Sequence, residues 1–157
     1  MTESLSLLVF TVDSLRLGLR LEAVDQAVRA CEVTPLPGAP APVIGAINMH
    51  GEIIPVLDLR QRLGLPARAI RVDDQFLMVR ADDRRYAAPV DEVDGVCEFA
   101  LDDVVPTGKL VDGLPHLEGA VRLPDGLLLI EDPRRFLDID GLQKLARALQ
   151  EERERGH

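Results

Sequence analysis

"GAINMHGEIIPVLDLRQRLG", residues 45–64, decides how this chain folds. It reads as two strands, 43–49 and 52–57, joined at the turn Asn48-Met49-His50-Gly51. Asp58 is placed to cap a short helix over 58–63, and Gly64 to end it. Gly45 and Gly51 read as positions that allow turns or close backbone packing. Pro55 inside the second strand points to an edge or a bulge. Asp58 and Arg60 read as a cap and a surface charge. His50 stands at the turn tip, either as a plain exposed residue or as a partner contact.

The stretch has a second copy. Shifting the chain by 74 residues lays 45–63 over "GAVRLPDGLLLIEDPRRFL", residues 119–137, without a gap. Gly45/Gly119, Ala46/Ala120, Asp58/Asp132, Arg60/Arg134 and Leu63/Leu137 are identical. Composition alone gives roughly one or two identities in such a window. A shift of 69 lays "LEAVDQAV" (21–28) over "VDEVDGVC" (90–97). The repeat predicts two similar β-rich halves, 5–72 and 73–139, followed by a C-terminal segment, 140–157. Short strands in units of this size favour small barrels, which leave no open edge.

The rest of the chain agrees with a mainly β fold. Residues 5–12 form a strand. After a hairpin tip at Asp13-Ser14, residues 15–21 alternate strictly, with Leu15, Leu17, Leu19 and Leu21 on one face. Further strands are predicted at 30–36, 75–81, 84–90, 94–100, 118–123 and 126–131, and short helices at 22–28 and 133–138. The proline-dense stretch 35–42 is an extended connector. Leu142, Leu145, Ala146 and Leu149 make the stripe of an amphipathic C-terminal helix, with Asp140 and Gln143 as a capping box.

Composition excludes several function classes. A chain of 157 residues buries enough surface to fold without staples. The formal net charge of −9 argues against nucleic-acid binding, which needs clustered Lys and Arg. The N-terminal residues lack a secretory pattern, and no apolar run is long enough to span a bilayer. Cys31 and Cys97, in apolar contexts and without metal-ligand spacing, read as buried reduced thiols of a cytoplasmic protein. Enzyme chemistry finds no footing. All three serines lie in the first fourteen residues, and there is no P-loop, G-x-S-x-G or H-E-x-x-H. No cofactor or metal is expected, and His116 reads as an incidental loop residue.

Residues 45–60 resemble the signature of the CheW family of chemotaxis coupling proteins, which commonly reads close to G-x-x-N-L-R-G-x-x-x-P-V-x-D-L-R. Gly45, Asn48, Gly51, Pro55, Val56, Asp58, Leu59 and Arg60 match it. The resemblance continues at 7–19, 78–96 and 117–137. It implies two pseudo-symmetric five-stranded SH3-like barrels packed together as a single CheW-like domain, 1–157. It also implies a non-catalytic adaptor that couples the helical tip of a chemoreceptor to the regulatory domain of a CheA-type histidine kinase. By resemblance, Val24, Gln26, Gly45 and His50 lie at the receptor contact; no residue is assigned to the kinase contact. Family members commonly carry Arg where this chain has His50, and Glu where it has Gln26. Arginine is a permanently charged fork of donors, whereas histidine titrates near ~6.5. The substitutions leave the fold alone and bear on receptor choice. They open a second reading: an auxiliary adaptor in a different chemosensory-type pathway, such as one for surface motility or second-messenger control.

Overall fold

The computed structural model describes residues 3–40, 42–106 and 117–136. They run β1 (Ser4–Val12), β2 (Leu15–Arg20), β3 (Val24–Arg29), β4 (Thr34–Pro35), β5 (Val43–Met49), β6 (Glu52–Leu57) and α1 (Leu59–Arg62). There follow β7 (Gln75–Ala81), β8 (Arg84–Val90), β9 (Glu92–Ala100), β10 (Val104–Pro106), β11 (Leu117–Leu123), β12 (Gly126–Glu131) and α2 (Pro133–Phe136). The C-terminal helix expected over 140–157, and His116, lie outside the described residues.

The strands form two six-stranded sheets of identical plan: β9-β1-β2-β12-β11-β10 and β3-β7-β8-β6-β5-β4. In each, the two hairpins meet through one parallel pair, β2 with β12 and β8 with β6. Neither sheet can be flat. Five inter-strand gaps of ~4.8 Å would set the edges ~24 Å apart. Yet residues 30–33 alone join edge strands β3 and β4, and 101–103 join β9 and β10. Such links reach at most ~19 Å and ~15 Å at ~3.8 Å per residue, so each sheet curls towards a barrel. The resemblance implied five strands per barrel; the short edge strands β4 and β10 make six.

The sequence repeat does not divide the sheets. Sheet membership breaks the 5–72 and 73–139 halves, because β1 and β2 lie in the sheet of β9–β12, while β7 and β8 lie with β3–β6. Each repeat unit gives its first hairpin to the other's sheet. A repeat reports which strands are alike, and an exchange of equivalent hairpins leaves it unchanged.

That exchange explains strands that are apolar on both faces. In β1, Leu5, Leu7 and Val9 pack inside the first sheet with Val121, Leu128 and Ile130. Leu8, Phe10 and Val12 face the other way, into a cluster shared with Leu57, Leu77, Val79, Tyr86 and Val90 of the second sheet. β7 mirrors this: Phe76 and Met78 fill the second sheet's interior with Ile47, Ile54 and Val56. The core is therefore threefold, with one cluster inside each sheet and one between them. Gly18 faces the first interior, where a Cβ would come within 2.9 Å of Leu128.

Several expectations are corrected. Residues 22–28 are not helical: a 3-10 turn, Leu21–Ala23, leads into β3. Val24 and Val28 have helical spacing, but a bulge between Val24 and Gln26 lets both face apolar surroundings from a strand. Of the strand expected at 30–36 only Thr34–Pro35 pairs, next to prolines that cannot donate to a ladder. Leu21 is exposed, β9 begins at Glu92, and β10 had no sequence signal. Pro55 is not at an edge, since β6 lies between β5 and β8. Cys31 and Cys97 are free thiols but exposed, one in a connection and the other on edge strand β9.

Arg60 is a buried hub rather than a surface charge. Its side chain is 9% exposed and pairs with Asp13 at 2.7 Å and Asp91 at 2.9 Å. Arg68 joins it, pairing with Asp74 and Asp91. The cluster fastens the β1–β2 hairpin tip and the β8–β9 corner to α1. Burial alone would raise the carboxyls of Asp74 and Asp91. Hydrogen bonds from Arg68 to Asp74, and from the Asp13 amide, Arg68 and Arg60 to Asp91, outweigh it and hold both below the ordinary range. Glu131, in contrast, is 1% exposed, and its carboxylate oxygens accept no hydrogen bond among the described residues. Burial lifts its carboxyl to about 8 against the opposing charge of Arg62.

Candidate partner-binding face

The β5–β6 hairpin closes with Met49 opposite Glu52, so His50 and Gly51 alone form its loop. Their φ values are 53° and 88°. A two-residue loop with positive φ at both positions matches the right-handed strand twist, and only glycine adopts it without cost. Asn48 stabilises the turn: its Oδ1 accepts the Gly51 amide at 2.9 Å. The asparagine and glycine of the signature thus build the loop, and His50 is presented at its tip, exposed.

Gly45 belongs to the scaffold beneath. It is buried, and the Thr34 carbonyl oxygen of β4 lies well inside contact distance of where a Cβ would stand. Its repeat partner Gly119 meets the Val105 carbonyl oxygen of β10 in the same way, at 2.6 Å. Both glycines follow a register shift that lets a short edge strand close over them. Val24 is half-buried and packs on the inter-sheet cluster. Gln26 is exposed on β3, just past the bulge.

An ion network joins the two exposed positions through their neighbours. Asp25, beside Gln26, pairs with Arg80 and Arg85 at 3.0 Å each, and Arg85 pairs with Glu52 at 2.7 Å. Glu52 is the first residue after the His50-Gly51 loop. The β3 bulge and the hairpin are therefore held together by Arg85, and Gln26 and His50 flank the network. Sequence reading missed Arg80, Arg85, Asp25 and Glu52. Nothing marks them in the chain except their alternation with apolar residues, since their partners are 33 to 60 residues away in sequence. The four charges sum to zero, so the face is preorganised and electrically balanced.

A face of paired strands, a rigid hairpin and a neutral ion network is the build of a protein-recognition module. Among the described residues no metal-ligating cluster occurs, and no helix is long and apolar enough to cross a membrane. Residues 6–140 match the CheW-like domain, and the chain belongs to that family. It is 27% identical over 150 residues to chemotaxis protein CheW of Treponema pallidum (strain Nichols), covering 92% of this chain and 88% of that one. It is 46% identical over 116 residues to protein FrzA of Myxococcus xanthus, covering 72% and 71%. The crystal structure of scaffolding protein TtCheW from Thermoanaerobacter tengcongensis superposes with a TM-score of 0.79 at 25% identity, covering 90% of this chain and 96% of that one.

Proposed function

We propose that this protein is a non-catalytic cytoplasmic adaptor, coupling the helical tip of a chemoreceptor to the regulatory domain of a CheA-type histidine kinase. The observation that carries this reading is the superposition, over nine-tenths of the chain, on a protein described as a scaffold. The receptor contact is the face of His50, Gln26 and Val24, with Gly45 shaping the strand beneath. Its recognition mode is a helix laid against a preformed surface. Contacts of this type are individually weak below ~1,200 Å² of buried area. Repetition in an array multiplies their effective affinity by ~10²–10⁴.

A second reading has support of its own. A relative with a name other than CheW reaches 46% identity, and His50 and Gln26 replace the charged pair common in the family. Both favour service in a different chemosensory-type pathway with a non-standard receptor. A pull-down from native cytosol and membrane fractions, with the bound proteins identified, separates the readings. Recovery of a histidine kinase with a chemoreceptor supports the adaptor, and the receptor's identity decides the pathway. Recovery of neither overturns it.

A further inference from the structure

The internal repeat places a second copy of the Arg60 hub elsewhere in the fold. The shift of 69 residues lays Asp13 over Asp82 and Glu22 over Asp91; the shift of 74 lays Arg60 over Arg134. Chemistry is preserved at all three positions, two carboxylates and a guanidinium. Backbone is preserved too: Asp13 and Asp82 open their hairpin loops with φ of 53° and 55°. The aspartates that cap the two helices match as well. Asp58 accepts the Arg60 amide at 2.9 Å, and Asp132 accepts the Arg134 amide at 3.1 Å.

The outcomes differ. In the first copy the Arg60 guanidinium lies between the hairpin carboxylate and the corner carboxylate, shielded from solvent. In the second, the Arg134 side chain is 69% exposed, with an ion pair of 3.8 Å to Asp132. The space left behind is a cavity of about 450 Å³, lined among others by Glu22, Asp82 and Arg134. Its Arg20 and Glu118 already satisfy each other, with Arg20 Nε donating to Glu118 at 2.6 Å, and its Arg80 is held by Asp25. Although Arg20 feels the charge of Glu22, among the described residues Glu22 and Asp82 are ion-paired with no cation. They stand where their repeat partners hold one.

We propose that this cavity is a binding site for a guanidinium side chain presented by a partner protein. The first copy displays the bound state of the same device: two carboxylates from a hairpin tip and a strand corner, closed on an arginine. Among the described residues no arginine closes the second copy, and an arginine from a partner would complete it. Guanidinium suits the site better than ammonium, because its planar fork serves two carboxylates at once. The site adjoins the His50 face through Arg80 and the start of β3, but it does not depend on the adaptor reading.

The test is an NMR titration of the full chain with N-acetyl-arginine methylamide, against N-acetyl-citrulline methylamide, its neutral isostere. The expected result is a saturable shift of the Glu22 and Asp82 backbone amides with the arginine probe, on the order of millimolar for a single side chain. The citrulline probe should leave them in place. The Asp13 and Asp91 amides should stay in place with both probes, because their guanidinium is already bound. Glu22→Gln with Asp82→Asn should weaken the response tenfold or more. Equal shifts with both probes, or a response that survives the double substitution, overturns the proposal. So does a contact between the Arg134 side chain and Asp82 in the free protein, which would mean that the chain fills its own site.

Discussion

Glu131 faces the same inter-sheet cluster as its repeat partner Leu57, yet it is a carboxyl group where that partner is a hydrocarbon. Glu131→Leu therefore asks what a buried carboxyl costs at a position whose repeat equivalent, Leu57, is a fully buried leucine. The groups that act on Glu131 are Arg62, which favours its charge, and Asp132, which opposes it; Tyr86 also feels its charge. The folded-state value of about 8 lies above the ordinary 4.5. The folded protein thus binds the proton more tightly than the unfolded chain. Stability from this group is fully present below about pH 4.5 and is lost as pH rises through about 8. At about 1.4 kcal/mol per unit, the loss between those limits is on the order of 3 kcal/mol by neutral pH and nearer 5 above pH 9. The assay is urea unfolding of wild type and variant at about pH 5, 7 and 9. Wild-type stability should fall across the series, and Glu131→Leu should be the more stable protein at pH 9 with a flatter profile. A wild-type stability independent of pH over this range, or a variant less stable than wild type at pH 9, would refute the reasoning.

Three other outcomes follow from the repeat. Gly45→Ala and Gly119→Ala should each lower stability by about 1–3 kcal/mol in denaturant unfolding, because a Cβ would push the edge strand off its neighbour. Arg60→Ala should cost about 1–3 kcal/mol by removing the buried guanidinium that ties the hairpin tip to the β8–β9 corner, and the part owed to Asp91, whose carboxyl is held below the ordinary range, should be lost as acid protonates it. Arg134→Ala, at the exposed copy, should stay within about 0.5 kcal/mol. Cutting the chain after residue 72 should leave two fragments without cooperative unfolding transitions, since the cut removes a hairpin from each sheet; a stably folded fragment 73–157 would contradict the exchanged-hairpin topology.

Much of this architecture was legible because its constraints are local. Asn48, Gly51 and Asp58 act within a few residues of themselves, so turn, cap and hairpin could be read directly. The paired glycines were legible as a repeat, although their reason, a carbonyl oxygen from an edge strand, is tertiary. What escaped depends on distant partners. Val24 and Val28 have helical spacing, and only pairing with β7 and a bulge make them a strand. Arg60 looks like any charged residue after a cap until Asp13 and Asp91 are brought to it. Arg85 carries no mark in the sequence, because Asp25 and Glu52 reach it from different strands. The exchange of hairpins is invisible in principle to a repeat comparison, since both arrangements produce the same pairs.

The most direct test of the adaptor reading uses the face around the hairpin. Wild type, His50→Arg, Gln26→Glu and the double variant would be titrated against a chemoreceptor-tip fragment and against a kinase regulatory domain. A charge-assisted contact is worth roughly 1.5–3 kcal/mol, or about tenfold or more in affinity. The double variant should therefore bind a standard receptor tip at least tenfold more tightly than wild type, with each single variant between. Kinase-domain binding should be the same in all four. Identical receptor binding across the series would reduce His50 to a turn residue and contradict the assignment of this face to the receptor.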